Sequence, residues 1–273
     1  MFFYKFPDLN NMSWKRIKAI MIHEFFITKR SLEVINDIIL YPLLSIIIFG
    51  FLTIYLSGAT GLIIGKQVLI GMILWQVISM TQYSIAVGCL WDVWARNLTN
   101  IFISPISNLE FLLAYTITGS LKSLMVIILG GIISFYFFGT NLLDLGLINL
   151  MIYFINLAIF GFGFAIMVLG LIFRFGTRVQ ALSWGLIAVL QPLMAVIYPV
   201  SILPKFLQSI AYLLPPTYIF EAARANTTDL GIQWLNIGIA FLLNIIFIFL
   251  AVRFFNFMFN QSKKTGQFAR LEG

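Results

Sequence analysis

Long apolar runs separated by short polar segments dominate this chain. Six runs reach the length of about 20 residues that a membrane-spanning helix needs. They predict spans at residues 38–56, 68–90, 109–138, 146–173, 179–200 and 232–253. Composition agrees, because 61% of the residues are hydrophobic and 10% are charged, whereas soluble domains carry about a quarter charged residues. We therefore predict one all-α integral membrane domain over residues 1–273. It comprises a cytoplasmic amphipathic segment (1–37), a six-span core (38–253) and a cytoplasmic tail (254–273).

The lysine and arginine residues predict the orientation of the spans. With both termini in the cytoplasm, only Lys66, Lys205 and Arg224 lie outside, Lys122 lies within a span, and the other basic residues are cytoplasmic. Membrane proteins keep their positive residues on this side. The sequence thus predicts a multi-pass protein of the cell (plasma or inner) membrane with cytoplasmic termini. The net charge of +7 then reflects contact with anionic lipid rather than binding of nucleic acid.

The segment before the first span has the pattern of an amphipathic interface helix. Its apolar residues recur mostly at three- and four-residue steps: Trp14, Ile17, Met21, Phe25, Leu32 and Ile35. Basic residues, which include Arg16 and Arg30, fill the other side. Such helices either anchor the neighbouring span or dock a partner. The pattern leaves both roles open.

The loop after the second span predicts a short helix over residues 92–103. Trp94, Leu98 and Phe102 form one apolar ridge on it. Ser104-Pro105 ends the helix, because the residue before a proline avoids the helical region. Asn108 is the expected cap of the helix that follows. The ridge suits either insertion into a partner's groove or burial among lipid headgroups.

Two polar interruptions lie inside the predicted spans. Lys122, about half-way along the third run, either marks a pathway or extends its amine to the interface, and the length of the run favours the second reading. Gln191-Pro192 interrupts the fifth span, and proline there predicts a kink. Gln191 then bonds a freed backbone group or lines a path.

A proline-rich stretch separates the fifth and sixth spans. Pro199, Pro204 and Pro215 break it, and the pattern predicts short helices over residues 203–214 and 217–224. Glu221 and Arg224 are three residues apart and able to pair. A broken segment at membrane depth must be buried in protein or line a cavity. We therefore expect a re-entrant pair of helices in the outer leaflet.

Several chemistries are absent from the sequence. One cysteine, Cys89, and one histidine, His23, exclude an intrachain disulfide and a histidine-only metal site. The nearest approach to a phosphate-binding loop, residues 61–67, lacks the required spacing and hydroxyl. No acidic residue lies deep in a span, which disfavours ion-coupled transport. We expect no catalytic, cofactor or metal site in this chain, so energy must come from another polypeptide.

Two motifs carry a family resemblance. The pattern Pro199-x-Ser201-x-Leu203-Pro204, Leu213-x-Pro215, Tyr218 and Glu221-x-x-Arg224 resembles the permease subunits of type-2 ABC exporters. The run Ser104-Pro105-Ile106-Ser107-x-x-Glu110 and the six-span layout do so too. The resemblance covers essentially the whole chain. It implies two separate ATPase subunits that bind ATP and Mg, and a second permease chain, with a homodimer expected and a heterodimer open.

The resemblance also assigns expected roles to residues. The ATPase-docking (coupling) helix would use Asp92, Trp94, Arg96, Asn97, Leu98 and Phe102. The interface helix would add Trp14, Arg16, Phe25 and Arg30 to that contact. The external gate would consist of Pro199, Pro204, Phe206, Pro215, Tyr218, Glu221 and Arg224. Independently of the resemblance, their positions inside spans make Lys122 and Gln191 pathway candidates.

The expected activity is export of an amphiphilic drug, lipid or glycolipid by alternating access. Export of polysaccharide or teichoic acid is the alternative within the family. A membrane-embedded lipid-modifying transferase is an alternative of another class, but its candidate acids Asp92, Glu110 and Glu221 form no cluster in the sequence. A membrane scaffold without transport is a further alternative.

Overall fold

A computed structural model of the chain describes residues 12–95, 104–228 and 231–264, and these residues form a helical bundle. In chain order, the helices are α1 (Trp14–Arg30), α2 (Leu32–Ile35), α3 (Tyr41–Thr60), α4 (Leu62–Trp94), α5 (Asn108–Phe138), α6 (Leu147–Phe175), α7 (Leu182–Leu190), α8 (Lys205–Ala211), α9 (Pro215–Asn226) and α10 (Trp234–Lys264). A π-helical stretch, Asn36–Leu40, joins α2 to α3. Short 3₁₀ turns occupy Leu142–Leu145, Gly176–Val179 and Val200–Ile202.

Within the described residues, five helices are long and apolar enough to cross a membrane. They are Leu32–Gly58, Leu62–Trp94, Leu109–Phe138, Leu147–Phe175 and Trp234–Ser262. They coincide with five of the six runs predicted from the hydrophobic pattern. The described part of the chain is therefore all helical, and its five long apolar helices are consistent with an integral membrane fold.

The expectation of one kinked helix over residues 179–200 is wrong. Helix α7 ends at Leu190 and turns follow it. Pro192 lacks the N–H that a continuing helix would need. Ala195 has a φ of 55°, a left-handed conformation that costs a residue with a Cβ and does not continue a right-handed helix.

Helix α4 is the centre of the bundle. It packs against α3, α5, α6 and α7, while α10 packs along α6. The turn between α3 and α4 is the single residue Gly61, whose φ of 101° requires glycine. Gly161 brings α6 close to α4, because a Cβ there would lie 3.0 Å from the Ile78 carbonyl oxygen. Gly161 and Ala165 form a small-residue pair one turn apart on this packed face.

Helix α10 extends past its expected end at Arg253 and reaches Lys264. Aromatic packing accounts for the extension. The rings of Phe255 and Phe259 lie 5.9 and 5.8 Å from the ring of Phe173 on α6. This contact holds the last turns of α10 on the bundle.

Candidate functional site

Helix α1 lies along α5 through a buried face that includes Ile17, Ile20 and Glu24. Ile17 belongs to the apolar stripe expected from the sequence. By contrast, Trp14 and Phe25 remain 62% and 60% exposed, so the stripe is only partly covered by protein. Arg30 lies over the ring of Phe26, 5.6 Å from its centroid. The helix therefore has one face fixed to the bundle and one face available to lipid or a partner.

Glu110 fixes the start of α5 to the start of α1. Arg16 donates through Nε, 2.9 Å from each carboxylate oxygen, and through Nη2, 2.7 Å from Oε1. The Ser13 amide also donates to this carboxylate at 2.7 Å. The hydrogen bond to Glu110 raises the pKa of Arg16, which keeps that guanidinium charged.

The cap of α5 is Ser107 rather than the expected Asn108. The Glu110 amide donates to the Ser107 hydroxyl at 3.2 Å, and the Ser107 amide donates to the Glu110 carboxylate at 2.9 Å. This reciprocal pair is a capping box, in which serine and a glutamate three residues later satisfy each other's orphan amides. The Ser-x-x-Glu signal was present in the run that carries the family resemblance.

Lys122 and Glu24 form a second contact between α5 and α1. Their Nζ and Oε2 atoms are 2.7 Å apart, and the side chains are 14% and 3% exposed. Glu24 also faces α4 at Gly88, where a Cβ would lie 2.8 Å from Oε1. The lysine predicted as a pathway or interface residue is thus bound to an acid that the sequence analysis passed over.

Asp92 joins the same layer from α4. Its Oδ2 accepts a hydrogen bond of 2.6 Å from the buried hydroxyl of Tyr115, and its Oδ1 lies 3.9 Å from His23 Nε2. Asp92 is in the last turns of α4, so the expectation that it starts a separate helix is wrong. We call the Arg16–Glu110, Glu24–Lys122 and His23–Asp92 contacts the α1 clamp.

Of the other residues expected to dock an ATPase, Trp94 is described. Its ring stacks on that of Trp184 in α7, with centroids 6.2 Å apart and planes 18° apart, and it remains 39% exposed. It therefore connects the end of α4 to the start of α7. The remaining expected docking residues, Arg96, Asn97, Leu98 and Phe102, lie outside the described residues.

The segment that follows α7 is held by Arg224 of α9. Its Nη2 donates to the carbonyl oxygens of Ala195 and Tyr198, the latter at 2.8 Å. Burial lowers the pKa of Arg224. Glu221, three residues earlier, lies 3.6 Å from the guanidinium and accepts a 2.8 Å hydrogen bond from the Val200 amide. The predicted pair therefore also satisfies backbone groups that the broken helix leaves open.

The two short helices expected in the proline-rich stretch are present as α8 and α9. Pro204 precedes α8, and Pro215 is the first residue of α9, positions where a missing amide costs no helical hydrogen bond. The Tyr218 hydroxyl donates to the Tyr212 carbonyl at 3.1 Å. Pro199 precedes the 3₁₀ turn, and Phe206 is 67% exposed. We call residues 191–226 the proline-rich segment.

The proline-rich segment packs on the first turns of α4. Gly71 contacts the Val196 carbonyl so closely that a Cβ would overlap it. Gln67 donates to the Arg224 carbonyl at 3.3 Å and to the hydroxyl of Thr227, which directly follows the segment, at 3.0 Å. Gln191, directly after α7, donates through its side-chain amide to the Met72 sulfur at 3.4 Å. Sequence reasoning gave no role to Gln67 or Gly71, because their partners are more than 100 residues away.

Helix α4 thus connects two polar contact regions. Gly71 under the proline-rich segment and Asp92 in the α1 clamp are separated by about 30 Å at 1.5 Å per residue, which is the thickness of the bilayer's hydrocarbon core. Among the described residues, no group of His, Cys, Asp and Glu side chains has the geometry to hold a metal ion. Helix α4 is therefore one continuous element that links the proline-rich segment to the α1 clamp.

Comparison with known proteins places these two regions within one family match. The family model described as "ABC-2 type transporter" matches residues 15–228. The match begins in α1 and ends just after α9, so it includes both the α1 clamp and the proline-rich segment. A comparison with curated proteins found no match.

Proposed function

The chain belongs to the ABC-2 type transporter family, and we propose that it is an exporter permease that moves an amphiphilic substrate outward. Membership makes it a membrane permease subunit of an ABC transporter, a family that works with ATPase subunits and forms dimers. The outward direction of transport, the class of substrate and the number of partner subunits go beyond family membership and are our proposal.

The observation that carries the proposal is the continuity of α4 between the α1 clamp and the proline-rich segment. Close contacts fix α4 at Gly71, in its first three turns, and at Asp92, in its last turn. A packed core moves between discrete arrangements rather than deforming gradually. A push on α1 or on the end of α4 would therefore displace the segment held by Arg224, about 30 Å away.

The partner subunits supply the energy in this proposal. Two ATPase subunits bind ATP and Mg and dock on the side of the protein that carries α1 and Trp94, using the interface and coupling helices. This side is cytoplasmic in the orientation that the basic residues favour. The path forms between this chain and a second permease copy in the plasma or inner membrane. The proline-rich segment then acts as the external gate.

The amphiphilic substrate is inferred from the surfaces that the helices offer. A groove of about 500 Å³ between α5, α6 and the 3₁₀ turn that joins them is lined almost entirely by apolar side chains. Acyl chains and drug-like molecules suit such surfaces, whereas a polysaccharide needs a denser set of hydrogen-bonding groups. This contrast favours an amphiphile over a sugar polymer.

Copurification tests the proposal. Affinity purification of the full chain from its native membrane is expected to recover an ATPase subunit. Trp94→Ala should weaken this recovery or uncouple ATP hydrolysis from substrate, because Trp94 links α4 to α7 at the docking side. Trp234→Ala is the matched control, since Trp234 is also exposed but starts α10 near the other region. Recovery of the permease alone, with transport that needs no ATP, would refute the proposal.

A further inference from the structure

A groove runs between α1, the start of the first membrane helix and the middle of α5. It has a volume of about 470 Å³, within the range of sites that hold small ligands. Its apolar walls come from three elements. They include Met21 and Phe25 of α1, Ile39 of the π-helical stretch, and Leu121 and Met125 of α5.

The charged residues of the groove are both lysines. Lys122 is already neutralised by Glu24 at 2.7 Å. Lys18 also lines the groove, is exposed, and forms no ion pair with any described residue. None of the residues that line the groove is acidic. The groove therefore combines a long apolar wall with one uncompensated positive charge.

We propose that this groove binds an anionic phospholipid from the leaflet on the α1 side. An acyl chain would lie along Phe25, Leu121 and Met125, and the amine of Lys18 would bind the headgroup phosphate, whose charge is not offset by a headgroup cation as it is in phosphatidylcholine. Basic sites between membrane helices hold anionic headgroups in this way. The inference does not depend on the transport function.

The geometry favours a lipid over other occupants. Phe25 and Leu121 are 60% and 55% exposed, on an interface helix and a membrane helix, so both are at a depth where lipid is the surrounding solvent. A protein segment would leave the Lys18 charge unmatched unless it brought an acid. A lipid without net charge would fill the apolar wall but would gain no more from Lys18 than from any other surface lysine.

Photolabelling of the full chain in neutral-lipid nanodiscs tests this site. The probes are phosphatidylglycerol and phosphatidylcholine carrying a diazirine in the acyl chain, each at low mole fraction. We expect phosphatidylglycerol to label peptides around residues 18–25 and 118–125 at least threefold more than phosphatidylcholine. Lys18→Ala should bring that ratio close to one. Lys15→Ala is the matched control, because Lys15 is exposed on the same helix but does not line the groove.

A second variant separates the apolar wall from the charge. Leu121→Trp should reduce labelling by both probes, and Met125→Trp serves if the first variant does not fold. Equal labelling by the two probes in the unmodified chain would overturn the proposal, as would equal effects of Lys15→Ala and Lys18→Ala. Full labelling of both tryptophan variants would also overturn it. So would disulfide crosslinking of Leu121→Cys between two copies, because a second chain would then cover the groove.

Discussion

Glu24 and Lys122, 98 residues apart in the sequence, join α1 to α5 through an ion pair of 2.7 Å. Both side chains are largely buried. Because Glu24 also lies against Gly88 of α4, three helices meet at one carboxylate. The interface helix is therefore an integral part of the bundle, and its movement cannot be independent of α4 and α5.

Removing one partner of the Glu24–Lys122 pair should lower the stability of the fold more than removing both partners. Lys122→Ala leaves the Glu24 charge buried and uncompensated, which typically costs about 3–5 kcal/mol. The double variant Glu24→Gln with Lys122→Met leaves no charge behind and should recover most of that loss. Thermal unfolding of the purified protein in detergent measures both, with Lys15→Ala as a surface control. A double variant as unstable as Lys122→Ala would contradict the pairing.

The capping box at the start of α5 predicts a smaller effect. Ser107→Ala removes the hydroxyl that accepts from the Glu110 amide, and loss of such a cap costs about 1 kcal/mol. Ser107→Thr keeps a hydroxyl and should be close to the unmodified protein. The melting temperatures of the two variants provide the comparison. Equal losses for alanine and threonine would show that the hydroxyl is not the cap.

The packing of the proline-rich segment on α4 should require glycine at position 71. A Cβ at Gly71 would overlap the Val196 backbone, which cannot move aside as a flexible side chain would. Gly71→Ala should therefore lower the melting temperature and displace the proline-rich segment. Gly238→Ala on α10 is the matched control, because nothing lies within 4 Å of its Cβ position, and alanine there should gain up to about 1 kcal/mol. A neutral Gly71→Ala would show that the contact is looser than described.

Replacing Arg224 should change amide hydrogen exchange only in the segment that Arg224 holds. Arg224→Met keeps the stem but removes the donors to the Ala195 and Tyr198 carbonyls, and each unsatisfied buried group costs about 1–3 kcal/mol. Hydrogen exchange should accelerate over residues 193–203 and stay unchanged in α1. Arg253→Met, on the exposed side of α10, should change neither. Unaltered exchange in Arg224→Met would mean that another contact holds the segment.

The hydrophobic pattern was sufficient to predict the helices that are long and apolar. It also predicted the two short helices around Pro215, because proline fixes where a helix can begin. The end of α7 was harder to place, since Pro192 is compatible with either a kink or a stop. The positive φ of Ala195 decides between a kink and a stop. An alanine in the sequence gives no indication that its φ will be positive.

The contacts at the candidate site depended on tertiary structure. Glu24 lies on the buried face of α1 beside Ile17 and Ile20, and an acid among apolar residues is a signal that it has a partner. Lys122 is unusual inside an apolar run, but only the fold reveals that Lys122 and Glu24 form an ion pair with each other. The role of Gly71 likewise follows from the approach of Val196, which no spacing in the sequence encodes.

Transport in reconstituted liposomes tests the central claim most directly. The full chain and its copurified ATPase subunit would be inserted together, and movement of a fluorescent amphiphilic lipid would be followed after ATP is added on the ATPase side. We predict ATP-dependent movement to the opposite side, none with the chain alone, and little with Arg224→Met even though the ATPase stays bound. Equal movement by the chain alone without ATP would contradict the account.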